Sequence, residues 1–337
     1  DGKYYYFNEH GQMLYNWIIA TNANPNNGAN LKDNEDNTYT TGSIADMEYA
    51  FNVDKGWRVN GWLKVDGSYN TNMENEEDWY FFDKGEAEYA IPTATGSNVG
   101  RILRNEGYLD VAVPGVSTRY RAKVKVEGKW FCFDQNGRMK TGLQAIGTSN
   151  TTYDVYYFDG DGNMKTGKVS NVELNNGETA NFYFETNNSH KGRGVTGEEN
   201  GYLYYKGMRL EAEDDYEFFG LPDGSGAYDI YLVNTNGKIQ KGTGTNGKKI
   251  DPEKVENDDY ALVGIIDNLI TGDVDDYDIY VKTNSKGKVT EIRYGKNAAD
   301  SKIGGKTIAL TDLYNGRYSS FLSLADVMAD VDFGWED

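Results

Sequence analysis

The sequence predicts an all-β protein, an elongated solenoid of β-hairpins with irregular insertions and a candidate short helix near the C-terminus. Three observations lead there. One phrase recurs along the chain: an aromatic run, then Asp or Asn, then a turn ending in Gly, with Met or Ile two residues further on. The 337 residues include 27 Tyr, 13 Phe and 6 Trp, side chains that fit the half-buried surface of a pleated strand. There are 40 Gly against 5 Pro, a balance that favours many tight turns over extended linkers. Hydrophobic residues make up 38% and mean hydropathy is −0.72, too little for one large core.

Taken in order, the phrase opens the chain as GKYYYFNEHGQMLYNW (2–17) and returns with an altered turn as YAFNVDKGWRVNGW (49–62). WYFFDKGEA (79–87) has one turn residue fewer. The two best copies are KWFCFDQNGRMKTG (129–142) and VYYFDGDGNMKTG (155–167). NFYFETNNSHKGRGVTG (181–197) stretches the turn and GYLYYKGMRL (201–210) shortens it. YDIYLVNTNGKIQKG (228–242) and the worn YDIYVKTNSKGKVTEI (277–292) complete the series. In each copy the aromatic and β-branched run predicts a strand. Asn8, Asp134, Asp159 and Asn234 are placed to start a turn, and Gly11, Gly137, Gly162 and Gly237 stand where the turn needs a positive φ. A second strand through Met13, Met139, Met164 or Ile239 closes the hairpin. A single hairpin is marginal in water, so serial copies must bury their rings on one another.

Insertions at 18–46, 88–120 and 243–275 separate the copies, and SSFLSLADVMADV (319–331) has apolar residues at helical spacing. The expected organisation is hairpin repeats with loop insertions over 1–90, an inserted segment over 91–120, a core hairpin array over 121–245 and a divergent repeat with a cap over 246–337. The chain opens inside a copy, without an initiating Met or a signal-like segment. It therefore reads as a fragment of a longer protein whose targeting signals lie elsewhere.

Charge and cysteine content narrow the function. A net charge of −19 repels nucleic acid and anionic membranes, and no apolar stretch is long enough to span a bilayer. The single cysteine, Cys132, takes a strand position held by Tyr6 and Tyr157 in sister copies, so it reads as a small buried hydrophobe. DGDGN (159–163) is similar to the start of a calcium loop, but the positions requiring Gly and Glu hold Met164 and Ser170. DVDDYD (273–278) adds only acid, and GTGTNGKK (242–249) lacks the spacing of a phosphate loop. His10 and His190 both fall in turns, with nothing that marks a triad or zinc site. No catalytic residue, metal site or cofactor is expected.

The copies at 128–142, 155–167 and 2–13 resemble the cell-wall-binding repeats of Gram-positive surface proteins, which include choline-binding modules and the similar repeats of glucan-binding domains and clostridial toxin tails. The resemblance covers about half of the chain in patches. It implies a non-catalytic, secreted and surface-attached module, extracellular at the cell surface or cell wall. Its partner would be a cell-wall polymer or glycan, or choline groups on such a polymer, held by rings between consecutive hairpins. The choline-binding pattern asks for an aromatic at the start of the first strand, met by Tyr4, Trp79 and Trp130, and for a Trp directly after the closing Gly. Trp62 after Asn-Gly meets the second demand, and Trp17 takes the same place after Tyr-Asn, whereas Leu143 and Lys168 follow the two best copies, leaving that junction short of a wall. The candidate ligand-facing residues are Trp17, Trp62, Trp79 and Trp130, with Tyr5 and Tyr156 beside them. The alternative is a structural spacer or adhesin that meets a protein partner through the insertions 18–46 and 88–120.

Overall fold

The computed structural model describes residues 2–7, 11, 13–14, 16–19, 47–52, 54–65, 78–83, 86–87, 121–134, 137–149, 152–251, 278–295, 306–313, 324 and 328–333. Most of the three expected insertions and most of the expected helix at 319–331 lie outside the described residues. Within that last stretch Leu324 packs into an apolar cluster and residues 328–330 form a turn.

The described chain is all-β, a series of small antiparallel sheets divided between two compact units. The first unit takes Asp1–Lys165 and Phe333–Asp337. In it β1 (Tyr6–Phe7) pairs with β2 (Met13–Leu14), and β3 (Asn16–Ile19) with β4 (Met47–Phe51). A three-stranded sheet joins β5 (Gly61–Val65), β6 (Asp78–Asp83) and β7 (Glu86–Ala87), and another joins β8 (Arg121–Val126), β9 (Lys129–Asp134) and β10 (Met139–Lys140). β11 (Gly142–Ser149) pairs with β12 (Thr152–Phe158).

The second unit, Thr166–Asp332, starts with β13 (Gly167–Glu173), β14 (Thr179–Phe184), β15 (Gly197–Glu199), β16 (Tyr202–Tyr205) and β17 (Met208–Arg209). These form one sheet in the order β13-β14-β17-β16-β15. β18 (Tyr216–Pro222) pairs with β19 (Tyr228–Asn234). A four-stranded sheet of β20 (Lys248–Ile250), β21 (Asp278–Thr283), β22 (Val289–Gly295) and β23 (Lys306–Ile308) follows, with a 3-10 turn at Leu310–Leu313.

The turns follow from side-chain chemistry. Asp159 Oδ1 accepts the backbone N–H groups of Asp161 and Asn163 at 3.1 and 2.8 Å, and Asn234 and Asn284 do the same two and four residues on. The strand pairing differs from the hairpin expected from the phrase alone. In the three copies from 79 to 167 the aromatic strand finds its long partner upstream: β9 pairs along β8, β12 along β11 and β6 along β5. The first and the worn last copy keep the downstream pairing, β1 with β2 and β21 along β22. The downstream Met segment is reduced to Met139–Lys140 in one copy and to the single bridge Phe158–Met164 in the next. The closing Gly of the phrase is the cause. Gly142 has φ +74 and opens β11, a left-handed corner that turns the chain away from β9 and toward the following aromatic strand.

Consecutive copies meet closely at the turn Gly. A β-carbon on Gly162 would overlap Met139 Sδ and stand 3.1 Å from Phe131 Cδ1. Gly56 meets Met13, and Gly287 meets Ile239, in the same way. The Met or Ile two residues after one turn is therefore the knob that fills the hollow left by the next turn Gly, which links the repeated motif directly to packing. Between the copies lie small separate cores, such as Ala122, Val124, Val126, Phe131 and Phe133 in the first unit.

Candidate ligand-binding site

The β8–β9 hairpin has two unlike faces, because side chains alternate along a strand. Ala122, Val124 and Val126 share one face with Phe131 and Phe133, to which Trp62, Phe81 and Met139 are added. Trp62 enters from β5, directly after the left-handed corner at Gly61, and pairs across the sheet with Phe81. Its ring centroid lies 4.6 Å from that of Phe131, 5.1 Å from Phe81 and 6.0 Å from Phe133, so Trp62 is half-buried packing between hairpins. Trp79 stands at its edge, 6.5 Å away and nearly perpendicular, and is 42% exposed. The arrangement is an open indole held on a strand and braced from behind by a fixed one. An exposed ring of this kind can stack on the apolar face of a sugar or attract a cation.

The other face carries Arg121, Lys123 and Lys125 opposite Asp134, Cys132 and Trp130. Arg121 and Lys123 are buried, at 2% and 8% exposure. Arg121 Nε donates to Gln144 Oε1 at 2.8 Å, and Gln144 Nε2 donates to the Thr141 carbonyl. Lys123 Nζ lies 5.0 Å from the Trp130 ring centroid and 4.3 Å from that of Tyr156. Cys132 is fully buried against Ile146 and Phe158, and burial pushes its thiol up to about 12. Trp130 and Tyr156 are thus brought to one ammonium, that of Lys123. Leu143, which stands where the choline pattern asks for a third ring, is buried opposite Tyr157.

Tyr5 is 38% exposed and bridges to Trp57. Lys3 Nζ lies 4.6 Å and Lys55 Nζ 5.5 Å from the Trp57 ring, while the Arg58 guanidinium lies 4.5 Å from the Tyr4 ring. Trp17 pairs with Ala50 in the β3–β4 ladder, and its side chain lies outside the described residues. The six sequence candidates therefore fall at three places: Trp62 with Trp79, Trp130 with Tyr156, and Tyr5 beside Trp57, with Trp17 apart. Sequence reasoning passed over Trp57 and Lys123. The available signals were the basic residues flanking Trp57 in DKGWR and the alternating cations of RAKVKV, one strand before the best aromatic run. Asp159 serves its own turn and pairs with Lys165 at 2.8 Å. Burial works to raise it, but the bonds from Lys165 and Asn163 hold it below the usual carboxylate range.

Among solved structures, the chain is similar to choline binding protein F from Streptococcus pneumoniae. Identity is 21% over 72% of this chain and 55% of that one, with a TM-score of 0.36. Alternansucrase in complex with isomaltononaose matches at 18% identity over 86% of this chain, TM-score 0.22, and CbpJ from Streptococcus pneumoniae TIGR4 at 19% over 71%, TM-score 0.17. The chain spans about half of the choline binding protein F chain, 18% of the alternansucrase chain and 91% of the CbpJ chain. No protein-family model matches the sequence, nor does any curated protein.

Proposed function

We propose that this chain is a non-catalytic binding module that attaches to cell-wall or host carbohydrate through aromatic residues, outside the cell at its surface. The observation that carries the reading is Trp79, a large ring 42% exposed on a strand and backed edge-on by Trp62. A ring already exposed and carried on a strand needs less ordering when a sugar stacks on it than a ring on a free loop would. The test is retention of the full chain on a cell-wall fraction and a glycan array, with Trp79→Ala as the variant. Trp79 is 42% exposed and lies outside the cluster of Phe131 and Phe133, so the variant should keep its stability within about 1 kcal/mol. Retention should fall by about tenfold or more. A folded Trp79→Ala chain that is retained as well as the parent would overturn the reading.

The packing of Trp62 among Phe81, Phe131 and Phe133 favours a second reading, in which the rings hold the stack and the module is a spacer or adhesin. On that reading Trp62→Ala costs about 3–5 kcal/mol of stability and wild-type chain shows no glycan retention to lose.

A further inference from the structure

We propose that Lys123 is the resident occupant of an aromatic ammonium site, and that its side chain closes this junction to alkylammonium ligands. An ammonium site is built from ring faces turned to one point within about 6 Å, in a place shielded from water. Trp130 and Tyr156 provide that point, and what stands there is the Lys123 ammonium, 5.0 and 4.3 Å from the two centroids. A lysine is rarely buried to 8% exposure, and here the strand itself determines the position. β8 is paired with β9 along its length, with Lys123 directly opposite Cys132, so the side chain rises from a fixed point beside both rings.

The two rings come from different hairpins. Trp130 lies on β9 and Tyr156 on β12, opposite Gln144, which holds Arg121 two residues from Lys123. The ammonium is therefore tethered to one of the hairpins it joins. A tethered group competes with a free one at an effective concentration on the order of millimolar or above, which is enough to exclude weak alkylammonium ligands. Lys123 thus has two effects at once. It is part of the contact between consecutive hairpins, and it removes one ring pair from the set available to a choline-type headgroup. The same habit appears elsewhere in the chain, where Lys3 and Lys55 approach Trp57 and Lys248 lies 4.7 Å from the Tyr216 ring. The proposal does not rest on glycan binding, since its probe is a small cation.

The experiment titrates the full chain with tetramethylammonium chloride, using sodium chloride at equal ionic strength as the reference, and reads Tm and tryptophan fluorescence. The wild type should respond alike to the two salts. Lys123→Ala should lose stability and regain it selectively and saturably with tetramethylammonium, binding it about tenfold more tightly than the wild type does. Lys123→Met, which refills the space without a charge, should show no selective gain, and Lys123→Ala with Trp130→Leu should lose it. If Lys123→Ala does not fold in sodium chloride, the yield of refolding in each salt becomes the readout, with the same expectation. A Lys123→Ala chain that responds identically to both salts, or a wild type that binds tetramethylammonium as well as Lys123→Ala does, overturns the proposal.

Discussion

Glu217 shows how a single side chain can govern the response of the fold to pH. It lies in β18 opposite Val233, and its carboxyl is pushed up to about 7, first by burial and then by repulsion from Glu213, against a bond from the Glu213 backbone. A carboxyl raised in the folded state binds its proton more tightly there than in the unfolded chain. Its contribution to stability is therefore greatest below the unfolded value near 4.5 and is lost as pH climbs to about 7, after which it changes no further. The whole effect is at most about 3 kcal/mol. Glu217→Gln keeps the shape without the titration. Urea unfolding should find the variant more stable than the parent at about pH 8, by about 1–3 kcal/mol, with the advantage shrinking toward pH 4.5. A constant difference at every pH would mean that Glu217 titrates as an ordinary surface acid. At the same scale, Lys123 shows why single residues were the least legible part of the site. Nothing local distinguishes it from Lys125, which shares its strand face yet is exposed.

Between elements, the recurring contact is the turn Gly against the Met or Ile of the preceding copy, and it can be weighed against plain backbone strain. Gly162 has φ +78 and faces Met139 and Phe131, whereas Gly177 has φ +83 and open space where a β-carbon would stand. Gly177→Ala should cost only the left-handed conformation, about 1–2 kcal/mol. Gly162→Ala adds the clash and should cost about 2–4 kcal/mol, part of which Met139→Ala should return in the double variant. Equal losses at the two glycines, measured by denaturant unfolding, would remove the contact from the account of how copies stack. These turns were legible in the sequence because Asp, Gly and an aromatic run each state a local demand. Strand pairing was not legible, because the long partner of β9 is the upstream RAKVKV, which carries no aromatic signature and is joined to β9 by a turn through Glu127 and Gly128. The closing Gly at 142 looked like the end of a hairpin, and in the fold it is the corner where the next one begins. For the same reason Trp62 and Trp79 could be named as rings of interest but not separated into packing and exposed. That distinction depends on which hairpin covers which face.

For the molecule as a whole the governing quantity is charge, 53 acidic residues against 34 basic ones. Many of the cations are held in local contacts. Arg138 pairs with Asp78, Arg193 with Glu185, Lys249 with Asp278 and Lys288 with Asp229, while Lys3, Lys55 and Lys123 stand near rings. What remains is a surplus of carboxylates whose mutual repulsion acts over a Debye length. Salt weakens both the exposed ion pairs and this repulsion. Exposed pairs contribute about 0–1 kcal/mol each, whereas a net charge of −19 repels across the whole surface. Repulsion should win, and Tm should rise as sodium chloride is raised from about 0.01 M to about 0.15 M, where the Debye length falls from about 30 to about 8 Å. A falling Tm would show that the local pairs dominate. The same reasoning sorts the ligands a binding module of this charge can take. Retention on a neutral glycan, driven by stacking on Trp79, should change by less than about twofold over that range. Retention on an anionic wall polymer should instead strengthen with salt as repulsion is screened. Comparing retention at the two ionic strengths therefore identifies the charge of the partner before its structure is known, and retention that weakens sharply with salt would mean that a basic patch, and not a ring, makes the contact.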